Sequence, residues 1–393
     1  MHGAVLLLTG YQSLSMNKTK GGKKMDTLTG IKTKKLGFGL MRLPTKAGLI
    51  DMKELKKMVD TFMEAGFNYF DTAHPYMALR SEGATRKALV NRYPRESFYL
   101  VNKLTSNFFI NEKQVRPFFN SQLKACGVDY FDVYLAHSLN RDNYEKFKKC
   151  KAFETCFELK KEGKIKHFGI SFHDKAEVLE KILTDYPEIE IVQIQLNYLD
   201  YDDPSVEGGK CYEVARKFGK DIVIMEPVKG GSLADPPEEA KKAFDSLGKA
   251  SYASYAIRYA AGFEGVLTVL SGMGNMAMME DNISYMKNFT PLNDSENTAV
   301  MKSVAAFRGL NLIQCTSCKY CLDVCPKNIP IPDYFACLNA KKQFKGWNPG
   351  MYYRRVSAVN AKPSECIQCG KCEKACPQHL DIRNLLSEVS KNF

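Results

Sequence analysis

Two patterns alternate along most of this chain. Short runs rich in Val, Ile, Leu, Phe and Tyr recur, each followed by a longer stretch in which apolar residues return at helical spacing. The runs are LGFGLM (36–41), NYFDT (68–72), FYLVNK (98–103), FDVYLAH (131–137), KHFGIS (166–171), IVQIQLNY (191–198), DIVIMEP (221–227) and VLTVLSG (266–272). Apolar runs of that length, bounded by turn residues, read as buried strands. Between them, 52–65 places Leu55, Met58, Val59, Phe62 and Met63 on one helical face, and 153–162 is a second amphipathic stretch. Eight strand and helix pairs within about 250 residues predict a (β/α)8 barrel, because helical crossovers force the strands to run parallel.

Other segments break this rhythm. Residues 1–25 are polar, rich in Gly and Lys, and without period, which predicts a disordered leader with Met16 and Met25 as alternative starts. The barrel is expected over 26–294, a linker helix over 295–308 with its helical core at 295–307, and a second, smaller unit over 309–393. That last unit carries an internal repeat. Cys315, Cys318, Cys321 and Cys325 precede Pro326, and Cys366, Cys369, Cys372 and Cys376 precede Pro377, both as C-x2-C-x2-C-x3-C-P.

Three thiolates from a tight loop and a fourth from a distance are what a [4Fe-4S] cubane requires, and in two-cluster ferredoxins the last cysteine of each run serves the other cluster. On that rule Cys315, Cys318, Cys321 and Cys376 hold one cluster, and Cys366, Cys369, Cys372 and Cys325 hold the other. Zinc prefers paired C-x2-C knuckles over a triple followed by Cys-Pro. With the two runs far apart and 331–344 helical in pattern, the unit resembles the α-helical dicluster ferredoxins. Cys126, Cys150, Cys156, Cys211 and Cys337 have no partners at ligand spacing and are expected to pack.

Four ionisable residues stand at or just beyond strand-like runs: Asp71 and Tyr76 in NYFDTAHPY (68–76), Lys103 in FYLVNK and His137 in FDVYLAH. In a barrel of this kind active residues collect at the C-terminal strand ends. Their order and spacing resemble the catalytic tetrad of the aldo/keto reductases, and the resemblance extends over about residues 35–290. It implies reduction of an aldehyde or ketone by hydride transfer. Tyr76 would be the general acid, Lys103 an adjacent cation held by Asp71 and lowering the phenol's pKa, and His137 the donor that orients the carbonyl.

The same resemblance places NADP(H) or NAD(H) against Met41, Arg42, Ser171, Gln193, Met225, Val228, Gly230 and Asn282. Ser171 and Gln193 match positions holding the carboxamide, and Asn282 one contacting adenine. Phe172, Met225, Gly272 and Met278 depart from the family pattern, the last two where NADPH-dependent members carry cations for the 2′-phosphate. Gly37 and Gly39 lack the third glycine of a dinucleotide fingerprint, since Arg42 stands there, and are expected to allow close backbone approach.

Composition narrows the setting. An apolar fraction of 45% and a charged fraction of 25% are those of a soluble globular protein. No apolar run reaches the length of a membrane span. Thirteen cysteines without an export signal predict a reducing, cytoplasmic setting. The formal charge of +12 falls to roughly +8 if two oxidised clusters are counted. Much of the remainder lies in Lys18, Lys20, Lys23, Lys24, Lys32, Lys34 and Lys35, read as a solvated tail and not as a nucleic-acid surface.

A hydride carries two electrons and each cluster passes one. Either the clusters take no part in the barrel's reaction, or a flavin shares or replaces the nicotinamide slot. The whole resembles the iron-sulfur aldo/keto reductases of anaerobic bacteria. Two rivals remain open: a flavin-mediated reductase fed by a ferredoxin or flavodoxin, and a non-catalytic electron-transfer or regulatory subunit. Phe108, Phe109 and Ile110 either line the substrate pocket or pack, and neither the oligomeric state nor the individual substrate is legible.

Overall fold

A computed structural model describes residues 27–203, 206–248, 250–343 and 348–393; the leader expected over 1–25, four of the tail lysines and Trp347 lie outside them. All eight apolar runs form strands of one closed, parallel barrel. They are β1 (Leu36–Gly39), β2 (Tyr69–Asp71), β3 (Tyr99–Thr105), β4 (Phe131–Leu139), β5 (Ile165–Phe172), β6 (Ile191–Gln195), β7 (Asp221–Met225) and β8 (Val266–Ser271). The ring closes because β1 pairs on both sides: Gly37 stands opposite Leu270 of β8, and Gly39 opposite Asp71 of β2.

The helices follow their apolar faces. Met52–Glu64 buries Leu55, Met58, Val59 and Phe62 against the strands and is capped by Asp51, whose carboxylate accepts the Lys53 and Glu54 amides at 3.0 Å each. The stretch expected at 153–162 forms as Ala152–Lys161. Inside the ring, Tyr69, Val101, Val133, Leu135, Ile191 and Val223 fill a small core of their own. Residues 28 and 29 cross the base of the barrel, where Asp221 accepts both of their backbone amides.

Of the two glycines expected to allow close approach, Gly37 does and Gly39 does not, since a Cβ there would lie no nearer than 3.4 Å to the Ser271 carbonyl oxygen; Gly169 is a further case. A Cβ on Gly37 would lie 2.8 Å from Leu270, and one on Gly169 in β5 would lie 2.4 Å from the Ile191 carbonyl oxygen and 2.8 Å from Leu135.

The helix expected at 295–307 forms as Asp294–Gly309, with an Asn293–Glu296 capping box. It sends Ala299, Val300, Val304 and Phe307 into the same core as the barrel helices, so it packs as barrel structure. Beyond it the chain is helical, with Ile331–Gln343, Asn348–Val359 and Ile382–Asn392 around a separate core containing Ile329, Tyr334, Leu338, Leu386 and Val389. The cysteine repeat extends to the backbone. Ser317, Lys319 and Asn328 take left-handed φ values of 55°, 71° and 53°, and Gln368, Gly370 and His379, at the matching positions of the second run, take 58°, 72° and 50°. No helix among the described residues is long and apolar enough to cross a membrane.

Gly169→Ala is expected to destabilise the protein by about 2–3 kcal/mol through overpacking against backbone that cannot move aside. Gly83→Ala, where a Cβ meets nothing, serves as the control and should lose no stability. Urea midpoints of the two variants against the parent check this.

Candidate active site

Strand β2 ends in Asp71, and the chain then turns back through Tyr76, whose amide bonds to the Ala73 carbonyl. Met77, Ala78 and Leu79 follow with φ of 52°, 51° and 66°, a left-handed turn that swings the phenol over the strand ends. Lys103, on neighbouring β3, is fully buried, and its Nζ lies 2.5 Å from Asp71 Oδ1 and 2.8 Å from the Thr72 carbonyl oxygen. The same Nζ sits 4.9 Å from the centre of the Tyr76 ring. His137, on β4, meets that ring edge-on at 5.9 Å, with its Nδ1 2.7 Å from Thr105 Oγ1. All four residues of the predicted tetrad therefore converge.

Electrostatics at this point differ from the sequence expectation in one respect. Burial, then the Asp71 carboxylate and Tyr320, push the Tyr76 phenol well above the usual range, with only Arg42 pulling it down. Lys103 is not among the groups that pull it down; its charge is matched by Asp71, and its ammonium lies over the ring. Burial raises the Asp71 carboxyl and lowers the Lys103 ammonium, each opposed by its partner. Burial, then Lys103 and His173, hold His137 well below the ordinary histidine range.

Asp71, Tyr76 and His137 line a cavity of about 660 Å³ at the barrel mouth. Of the expected cofactor residues, Met41, Arg42, Ser171, Gln193 and Met225 line it too. Ser171 Oγ accepts the Ser138 amide at 2.8 Å. Gln193 turns its amide nitrogen towards Met225 Sδ at 3.6 Å, which leaves its Oε1 buried without a partner. The other three stand elsewhere. Val228 packs half-buried against the barrel core. Gly230, at φ 65°, presses on the Thr316 backbone, where a Cβ would lie 2.4 Å from the carbonyl oxygen. Asn282 is buried, donating to Ser271 Oγ at 2.7 Å and accepting from the Tyr285 hydroxyl. Gly272 faces Arg42 across the mouth, and Met278 is exposed. Phe109 packs on Phe147, while Ile110 is exposed.

Sequence reading did not name the residues of the far wall of this cavity. It is built by the C-terminal unit, through Thr316, Cys318, Tyr320, Pro377 and Gln378. Arg42 donates to the Thr316 carbonyl at 3.0 Å and lies 3.6 Å from Glu226. Thr316 Oγ1, His173 Nδ1 and Asp71 Oδ2 join Gln193 Oε1 as buried polar atoms without protein partners, all on residues that line the cavity. Buried polar atoms are almost always satisfied, so four together mark a place for a polar ligand.

The eight repeat cysteines fall into two hollows. Cys315, Cys318, Cys321 and Cys376 ring one, and Cys325, Cys366, Cys369 and Cys372 ring the other, each of about 310 Å³. These are the sets that the interleaving rule anticipates. Among the described residues no three donors converge closely enough to grip one ion. The hollow of the first set shares Thr316, Cys318 and Gln378 with the mouth cavity. The other five cysteines are buried.

Known proteins resemble both units. Residues 35–305 match the model of the aldo/keto reductase family, and residues 314–380 match that of a 4Fe-4S dicluster domain. L-galactose dehydrogenase of Arabidopsis thaliana is 23% identical over 288 residues, covering 69% of this chain and 89% of that protein. The holo form of aldo-keto reductase AKR11C1 from Bacillus halodurans superposes with a TM-score of 0.58 at 24% identity, over 70% of this chain and 93% of that one. An aldo-keto reductase from Klebsiella pneumoniae in complex with NADPH gives a TM-score of 0.56 at 16% identity, over 69% and 94%. At these identities the structural likeness is one of fold. Because the first family match spans most of the chain and its eight strands close into a single parallel barrel, this protein belongs to the aldo/keto reductase family of oxidoreductases, with a C-terminal region matching a 4Fe-4S dicluster domain.

Proposed function

We propose that the barrel reduces a small aldehyde or ketone by hydride transfer from NADPH or NADH, with Tyr76 as the proton donor, and that the two cysteine sets hold two [4Fe-4S] clusters. The observation that carries the reading is the meeting of Tyr76, His137 and the Asp71–Lys103 pair in one mouth cavity. A structural relative is described with NADPH bound. Gln193 and Ser171, register partners on β6 and β5, offer an unpartnered buried carbonyl oxygen and a hydroxyl, a fit for a carboxamide. Neither Gly272 nor Met278 supplies a cation for a 2′-phosphate, so either nucleotide is compatible.

Bound nicotinamide would supply the hydride. The rest falls to the chain's own side chains. If Nδ1 accepts from the Thr105 hydroxyl, a neutral His137 carries its hydrogen on Nε2 and can donate it to the carbonyl oxygen. As that oxygen gains charge, Tyr76 gives up its phenolic proton. The raised pKa does not forbid the transfer, because an alkoxide is a far stronger base than any phenolate.

A second reading draws on the wall that the mouth shares with the first cysteine set, formed by Thr316, Cys318 and Gln378. One layer of residues would separate that cluster from the substrate, which suits electrons arriving from a ferredoxin or flavodoxin through a bound flavin. Iron, sulfide, flavin and nucleotide analysis of one anaerobically purified sample separates the two. Nucleotide without flavin supports the first reading, and flavin without nucleotide supports the second.

Tyr76→Phe is expected to lower carbonyl turnover at least a hundredfold while iron content stays at the parental level; unchanged turnover would exclude Tyr76 as the acid. The pH profile follows from the site's electrostatics. His137 is held neutral well below 6.5 and Tyr76 protonated well above 10. We therefore expect kcat/KM to be level through the neutral range, with no inflection near 6.5. An acid limb there that vanishes in His137→Asn would contradict this assignment.

A further inference from the structure

Strand neighbours point to opposite faces, so while Lys103 reaches into the barrel mouth, Asn102 turns outward beneath the helix Glu112–Cys126. There it meets a buried carboxyl. Glu82, in the short helix Ser81–Thr85, is 2% exposed, and its Oε1 accepts Asn102 Nδ2 at 2.8 Å and Gln122 Nε2 at 3.1 Å. Its Oε2 lies 2.7 Å from His74 Nδ1. Asn102 and Gln122 are closed to solvent, and neither they nor Glu82 and His74 line the mouth cavity.

Each oxygen of Glu82 leads to one half of the tetrad. Through Oε2 it holds His74, which stands with Pro75 inside the turn closed by the Tyr76 amide and the Ala73 carbonyl. Phe108 and Phe118 meet the imidazole edge-on at 4.6 and 5.2 Å, and the proline ring fixes φ at the residue before Tyr76. Through Oε1 it holds the two amides that grip Lys103 by its backbone. Asn102 Oδ1 accepts the Lys103 amide at 2.8 Å, and Gln122 Nε2 donates to the Lys103 carbonyl oxygen at 3.0 Å. The Tyr134 hydroxyl donates to Gln122 Oε1 at 2.5 Å, which fixes the way that amide faces.

We infer that Glu82 is a positioning residue for proton transfer: by joining the Tyr76 turn to the backbone of Lys103, it keeps the phenol in register with the Asp71–Lys103 pair and with the reacting carbonyl. It acts through His74 on one side and through Asn102 and Gln122 on the other, without reaching the cavity itself. Misplacing a reacting group by about 1 Å costs up to about a hundredfold in rate, so the link should be visible in the chemical step. The inference rests on Tyr76 as the proton donor, a reading that Tyr76→Phe tests alone.

The experiment is a single-turnover assay of the full-length, anaerobically purified protein with 4-nitrobenzaldehyde as probe and NADPH or NADH, whichever the parent oxidises faster. Varying the aldehyde separates the rate of the chemical step from binding. His74→Phe keeps the ring contacts and breaks the link; we expect it to slow the step about tenfold with aldehyde affinity unchanged. His74→Asn, whose Nδ2 falls where Nδ1 stood, should restore the rate. Glu82→Met should lose at least as much as His74→Phe, and adding His74→Phe to it should cost nothing more, because the link is already gone. In the Tyr76→Phe background His74→Phe should also cost nothing further, since no phenol is left to place. A merely structural role would lower the rate equally in both backgrounds. Should Glu82→Met not fold, His74→Phe decides alone, at a side chain that is 23% exposed. A parental rate in His74→Phe, a loss that persists in the Tyr76→Phe background, a loss of affinity alone, no rescue by His74→Asn, or failure of His74→Phe to fold would overturn the inference. Parental turnover in Tyr76→Phe would instead overturn the reading beneath it.

Discussion

An ammonium with no access to water has to be compensated inside the fold, and in this protein that compensation joins the barrel's closure to its chemistry. Lys103 reaches Asp71 only because β2 and β3 are adjacent and in register, with Asp71 opposite Val101. Breaking such a pair by removing one partner costs about 3–5 kcal/mol, since the survivor is left charged and dry. The strand order is thus tied to the placement of the pair. The pair is also incomplete as structure, for Asp71 Oδ2 keeps an unused acceptor in the cavity beside Tyr76. A purely architectural ion pair would have satisfied that oxygen from within the fold.

The mouth around this pair is made of backbone turned out of its regular path. Ser138 after His137, Glu226 after Met225, and the three residues after Tyr76 all take positive φ where L residues rarely do. Such conformations persist where surrounding contacts over-determine them. Here part of the surroundings comes from the second domain: the Gly230 turn is held against Thr316, and Arg42 spans from the barrel to the Thr316 carbonyl. A side chain on Gly230 would strike that carbonyl, so the glycine is required by the docking as much as by its own φ.

Much of this was legible in the sequence, for a definite reason. Each barrel strand is a short apolar run closed by a polar residue, so strand order and the siting of Asp71, Lys103 and His137 could be read locally. The cysteine pairing was equally readable, because ligand spacing is itself a geometric statement. What escaped has no local period. Thr316, Tyr320 and Gln378 reach the cavity only through docking of one domain on another, and Gln195, bonded to Gln378, looks in sequence like any strand-end amide. The raised pKa of Tyr76 was not legible because a nearby lysine is visible in sequence while its pairing with Asp71 and the burial of the phenol are tertiary facts. Helix Asp294–Gly309, expected as a connector, carries a face of Ala299, Val300, Val304 and Phe307 that finds its partner only once the barrel exists.

Docking also breaks the symmetry of the cysteine repeat. The two runs share their spacing and their left-handed backbone positions, so in isolation they would be near equivalents. Against the barrel they are not. Thr316 is 1% exposed under the mouth, while Ile367, its counterpart in the second run, is 56% exposed. Cys318 is half-buried in the cavity wall, and its counterpart Cys369 is open to solvent. Tyr320 faces the site where the second run has Lys371. One set therefore borders the mouth cavity and the other lies towards solvent. The repeat by itself supplies two equal sites, and it is the packing of one of them on Gln195, Arg42 and Gly230 that makes them unequal.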